Sequence, residues 1–152
     1  MKNFKRLKIS RIFVILTLLA IFILISAISY VDAVSNNISD SVFRLHVIAN
    51  SDSEEDQTLK LKVRDNLLEY MNTIAKDSTN KEEAMRIASE HKNEFIQIAE
   101  KTIRENGYEY TVNIQIGKAD FPTKYYGDIT LPAGEYDALK VEIGEAKGKN
   151  WW

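Results

Sequence analysis

The sequence predicts an α+β protein: a two-layer α/β sandwich in which a small mixed sheet of three to four strands carries two or three helices on one face, preceded by an N-terminal hydrophobic helix. Three observations lead there. Residues 12–31 carry no charge; apolar residues recur every three or four positions between Ser53 and Asn106; and strict alternation of apolar and polar residues marks strands near Phe43, Tyr108 and Leu139. The order strand, helix, helix, then two or three strands buries the helical stripes most simply when the helices share one side of one sheet. If the first strand and the Tyr108 strand are parallel neighbours, the helical connection between them crosses right-handed.

The chain has 152 residues, 45% hydrophobic and 28% charged. That supports one core and gives no reason for a second globular domain. The charge is unevenly placed. Residues 1–33 hold five basic groups and one acid, whereas residues 34–152 hold 15 basic and 21 acidic groups, net −6. An acidic domain argues against nucleic acid, whose phosphates call for a Lys/Arg face. The absence of cysteine excludes disulfides, thiol catalysis and Cys-based metal sites within these residues.

The 20 uncharged residues 12–31 form, at ~1.5 Å per residue, a helix about as long as a bilayer's hydrocarbon core is thick. The basic flank before them fits the n-region of a signal peptide and equally the positive-inside flank of an anchor. Residues 1–33 are therefore a signal peptide or membrane anchor, residues 34–41, small and polar, a spacer, and residues 42–152 an extracytoplasmic domain. Small-x-small sequences at Ala27-Ile28-Ser29 and Val31-Asp32-Ala33 permit cleavage.

The first strand, residues 42–49, ends in Asn50, Ser51, Asp52 and Ser53, whose short polar side chains favour turns and helix N-caps. Asp52 with Glu55, or Ser53 with Asp56, has capping-box spacing, and Glu54, Glu55 and Asp56 place negative charge at the positive end of the helix dipole. The helix over 53–75 carries Leu59, Val63, Leu67, Met71 and Ile74 as its core stripe. Lys60, Lys62, Arg64, Asp65 and Glu69 form its solvated faces. Asn80 with Glu83 caps a second helical stretch ending at Asn106-Gly107, as one helix or as two joined near His91. Tyr108, Tyr110, Val112, Ile114 and Ile116 alternate as a strand. Residues 118–134 hold both prolines and read as irregular, with a short strand at 128–131. Leu139, Val141 and Ile143 form a last strand closing at Gly144.

Motifs for chemistry are sparse. His46 with Ser51 or Ser53 and Asp52 or Asp56 offers the residue types of a hydrolytic triad, and no nucleophile elbow supports it. A half-exposed strand histidine is the simpler reading of His46, and a hydrogen-bonded boundary histidine that of His91. No HExxH, EF-hand or phosphate-loop spacing occurs, so no metal and no cofactor are expected. Tyr125, Tyr126, Tyr136, Trp151 and Trp152 concentrate aromatic residues late in the chain, as contact surfaces do and as strand cores also do. Two tryptophans at a free terminus are costly unless covered, which points to further chain beyond Trp152.

Two blocks, residues 44–65 (RLHVIANSDSEEDQTLKLKVRD) and 131–152 (LPAGEYDALKVEIGEAKGKNWW), resemble the stage II sporulation protein R family of endospore-forming Firmicutes. The resemblance implies a non-enzymatic signal made in the forespore and exported into the space between forespore and mother cell. There it would activate a membrane-embedded, aspartic-type peptidase that processes the sigma-E precursor. Family members usually continue past the paired tryptophans into a tail containing Cys and Pro. The family's contact residues do not carry over, so the partner-binding candidates come from the residues themselves: Arg44, Asn50, Asp52, Asp56, Arg64, Tyr136, Trp151 and Trp152. A rival reading is an envelope hydrolase built on His46, Ser51 and Asp52, and another is an anchored structural module of the septal space.

Overall fold

A computed structural model of the chain describes residues 2–148. It divides into two units, Met1–Asn37 and Ile38–Trp152. In the first, α1 (Lys2–Ser39) contains the apolar stretch Arg11–Val31, long and apolar enough to cross a membrane. Its apolar side chains are exposed all round, an arrangement that lipid solvates and water does not. Thr17 donates its hydroxyl to the Phe13 carbonyl at 2.9 Å, so its polar group is satisfied within the helix, as a bilayer demands. The 34–41 stretch expected as a spacer is helical as far as Ser39.

The second unit is the α+β domain. Its elements are β1 (Phe43–Ile48), α2 (Glu54–Ile74), α3 (Lys81–Glu90), α4 (Lys92–Glu105), β2 (Val112–Phe121), β3 (Lys124–Tyr126), β4 (Ile129–Leu131) and β5 (Gly134–Ile143). The main sheet has the order β1-β5-β2, with β1 parallel and β2 antiparallel to β5, and β3 and β4 form a separate hairpin. β5, last in the chain, is central, and it carries buried apolar residues on both faces. Leu139, Val141 and Ile143 meet the helices, and Tyr136 and Ala138 face the other way. The first strand and the Tyr108 strand are therefore not neighbours, since β5 separates them.

The helices cover one face. Leu59, Val63 and Leu67 of α2, Ala88 of α3 and Phe95, Ala99 and Ile103 of α4 share one core with Ile114, Leu139, Val141 and Ile143. The stripe read from the sequence is this core. The second helical stretch is two helices, broken at His91 (φ −99°, ψ 20°), whose Nδ1 lies 3.0 Å from the Tyr70 hydroxyl. Asn80 caps α3, its Oδ1 accepting from the Glu83 N–H at 2.9 Å, while Glu83 accepts from the Thr79 N–H at 3.2 Å. Asn80→Ala is expected to cost about 1 kcal/mol, measurable as a lowered urea midpoint with an unchanged slope.

The expected Tyr108 strand begins only at Val112. Val112 pairs with Ile143, the last residue of β5, so Tyr108 and Tyr110 have no ladder to join and stack on each other at 5.3 Å instead. At its other end β2 runs on to Phe121, through a stretch read as irregular. Gly117, Lys118, Ala119 and Asp120 lack strand patterning, yet β5 supplies a partner for each. The short strand at 128–131 is present as β4, paired with β3.

Candidate functional site

The turn after β1 is a dense polar corner. Ser53 caps α2, accepting from the Asp56 N–H at 3.2 Å. The Asp56 carboxylate turns back and accepts from Ser51 Oγ at 2.6 Å and Asn50 Nδ2 at 2.9 Å. Burial alone would push this acid up. The hydrogen bonds from Ser51, Asn50 and Tyr110 outweigh it and hold the carboxyl below the ordinary aspartate range. Asn50 faces the end of β5 as well, its Oδ1 accepting from the Glu145 N–H at 3.0 Å. The Lys147 and Gly148 amides donate to the carbonyls of Asn50 and Ala49 at 3.1 and 3.0 Å. The two blocks that carry the family resemblance thus meet here.

The approach is too close for side chains. A Cβ on Gly144, whose φ is +59°, would lie 2.3 Å from Asn50 Oδ1, and one on Gly148 would lie 2.6 Å from the Ser51 carbonyl.

The face of the sheet away from the helices holds a second cluster. Arg44 is 7% exposed, with its guanidinium carbon 3.9 Å from the Phe121 ring centre and 4.7 Å from that of Tyr136. Tyr136 is fully buried and donates its hydroxyl to the Pro132 carbonyl at 2.6 Å. His46, expected half-exposed, is buried, with its ring centre 5.3 Å from that of Phe121.

The partner-binding candidates therefore separate. Arg44 and Tyr136 come together, as do Asn50 and Asp56, and Arg44, Asp56 and Tyr136 are buried. Asp52 and Arg64 are exposed, Arg64 forked onto Asp65 at 2.7 and 2.8 Å. Trp151 and Trp152 lie outside the described residues. The hydrolytic grouping is not assembled for catalysis: the Ser51 hydroxyl is committed to Asp56, and His46 is packed against Phe121.

One polar group escaped the sequence reading. Asp137, on the helix side of β5, accepts from Lys81 Nζ at 2.6 Å and lies 3.5 Å from Lys118 Nζ. The signal was an aspartate inside the apolar alternation of GEYDALKVEI. The Lys81 hydrogen bond, assisted by the charges of both lysines and opposed by burial, holds Asp137 below the ordinary range. Lys60, read as solvated, is also nearly buried. Among the described residues no group of His, Asp and Glu could hold a metal ion.

Fold and site together define an α+β domain in which buried charges brace the structure, led by a helix fit for export or membrane anchoring. The chain belongs to the stage II sporulation protein R family, whose model matches residues 39–152. It is 40% identical over 115 residues to the stage II sporulation protein R of Bacillus subtilis (strain 168), a match covering 76% of this chain and 51% of that protein. The chain thus spans about half the length of this curated relative. No solved structure matches it. The family places the chain in sporulation.

Proposed function

We propose that the chain is an exported sporulation signal that activates a membrane-bound peptidase processing the sigma-E precursor, and so couples forespore to mother-cell gene expression. The observation that carries this reading is family membership over residues 39–152, directly behind a helix that can direct export or anchor the chain. The site of action is the space between forespore and mother cell, at the membrane if the leader is retained. The buried Ser51–Asp56 and Arg44–Tyr136 contacts favour a rigid ligand over a hydrolase. A ligand activates by binding the active arrangement of its target more tightly than the inactive one. Moving that balance from 1:99 to 99:1 takes a difference of about 5.5 kcal/mol.

Deleting the gene in its sporulating host is expected to leave the sigma-E precursor unprocessed on an immunoblot; normal processing would overturn the proposal. A form secreted through a cleavable, exchanged leader should restore processing, because a diffusible ligand needs no anchor.

A further inference from the structure

β1 is an edge strand, paired only with β5, so the sheet leaves the backbone groups along its outer side unused. A cavity of about 540 Å³ follows that edge, touching Phe43, Arg44, Leu45, His46 and Val47 in succession. Consecutive strand residues point to opposite faces. A cavity reaching all five must therefore lie beside the strand, where a further strand would go. Helix α2 forms one wall through Lys60, Arg64 and Leu68, and Lys124 and Tyr126 of β3 stand on the other.

The charge of this trough opposes that of the domain. Residues 34–152 are net −6, yet Arg44, Lys60, Arg64 and Lys124 line the trough with Asp65 as the only carboxylate. Asp65 is taken by Arg64. Among the described residues Arg44, Lys60 and Lys124 make no ion pair. Arg44 is 7% exposed and its buried Nη1 has no hydrogen-bond acceptor, and Lys60 is 9% exposed with only the Gln57 amide oxygen, at 2.5 Å, to receive its proton. Burial and the nearby Arg64 push the Lys60 amine below the ordinary lysine range, against a smaller opposing pull from the Asp52 carboxylate. Buried cations with no carboxylate in direct contact are unfavourable, and a carboxylate brought into the trough would relieve them.

We propose that this trough takes an extended, acidic peptide segment of a partner protein as an added strand on β1. Main-chain hydrogen bonds to the strand edge supply affinity. Apolar side chains of the segment lie on Leu68 and Tyr126, which are 42% and 53% exposed. Its carboxylates meet Lys60, Arg64 and Lys124, with Arg44 beneath adding to the field. The proposal does not depend on which protein supplies the segment.

The test uses the full chain in phosphatidylcholine nanodiscs, panned against a random library of twelve-residue peptides. The expected result is enrichment of sequences that alternate apolar residues with Asp or Glu. Measured by fluorescence anisotropy, their affinity should fall at least tenfold in the double variant Arg64→Glu/Lys124→Glu and stay unchanged in Lys101→Glu, a surface position on α4 outside the trough. Melting curves establish that both variants fold. Proline scanned along the peptide should abolish binding at alternate positions, since only every second amide of an added strand faces β1. Failure to enrich acidic sequences, indifference to the charge reversal, or tolerance of proline throughout would overturn the proposal. So would a concentration-dependent dimer of the chain that the double variant dissolves, which would assign the edge to a second copy.

Discussion

Asp137→Ala is expected to lower the stability of the α+β domain by about 3 kcal/mol, because it strands Lys81 in the interior. The two side chains are only 12% and 9% exposed and meet at 2.6 Å. Removing one partner therefore leaves a desolvated ammonium with only the longer-range pull of Glu82 and Asp40 to offset its burial. Asp137→Asn, which keeps an acceptor and loses the charge, should fall between wild type and alanine. Replacing both partners with apolar residues, Lys81→Met with Asp137→Leu, should recover most of the loss, since an intact buried pair adds little over good packing. Urea unfolding followed by circular dichroism separates these outcomes. Acid should reproduce the asparagine result, since a protonated carboxyl keeps an acceptor and loses the charge. A carboxyl depressed in the folded state contributes stability above its unfolded pKa and loses it as pH falls through the folded value, so the loss lies below about pH 4. Lys81 is raised by the Asp137 hydrogen bond, and its contribution, complete below the unfolded lysine pKa, fades as pH rises past about 10.4. The two limbs report one ion pair from its two ends and do not add.

Local signals in the sequence were sufficient wherever the structure is locally determined. Ser53 and Asn80 cap the helices they were expected to cap, and the Leu59, Val63, Leu67 stripe is core because helical spacing alone puts it on one face. What could not be read depended on pairing. Tyr108 and Tyr110 alternate like a strand but lie beyond the end of β5, while Gly117 to Asp120 carry no strand pattern yet lie opposite it. In β1 both alternating sets are used, Phe43, Leu45 and Val47 against the helices and Arg44 and His46 under Phe121. The polar set looked solvated because nothing nearby in sequence announces the cover, which arrives nearly 80 positions later. Arg44, Asp56 and Tyr136 are contact candidates by residue type, and the structure buries all three, which no local pattern announces. The edge trough draws its walls from α2 and β3, so only the assembled sheet reveals it.

Asp56→Ala should be nearly as costly as the loss of Asp137, again about 3 kcal/mol, because one 4% exposed carboxylate receives the Ser51 hydroxyl and the Asn50 amide together. Hydrogen bonds to a charged acceptor are worth about 1.5–3 kcal/mol each, and part of that returns as water reaches the opened turn. A drop in Tm of roughly 10 °C is expected for a domain of this size. Asn50 is the reason the damage should spread. Held by Asp56 on one side and by the Glu145 amide on the other, it ties the turn after β1 to the segment after β5, where Gly144 leaves no room for its displacement. Hydrogen exchange should therefore show the amides of Glu145, Lys147 and Gly148 losing protection in Asp56→Ala, although they donate to Asn50 and Ala49 and not to Asp56. Asp52 supplies the contrast. It is exposed, so Asp52→Lys should cost less than about 1 kcal/mol through the helix dipole. If Asp52→Lys abolishes sigma-E precursor processing at an unchanged Tm, the corner is a contact surface. If only Asp56→Ala does so, in proportion to lost stability, the corner acts by holding the two motif blocks together.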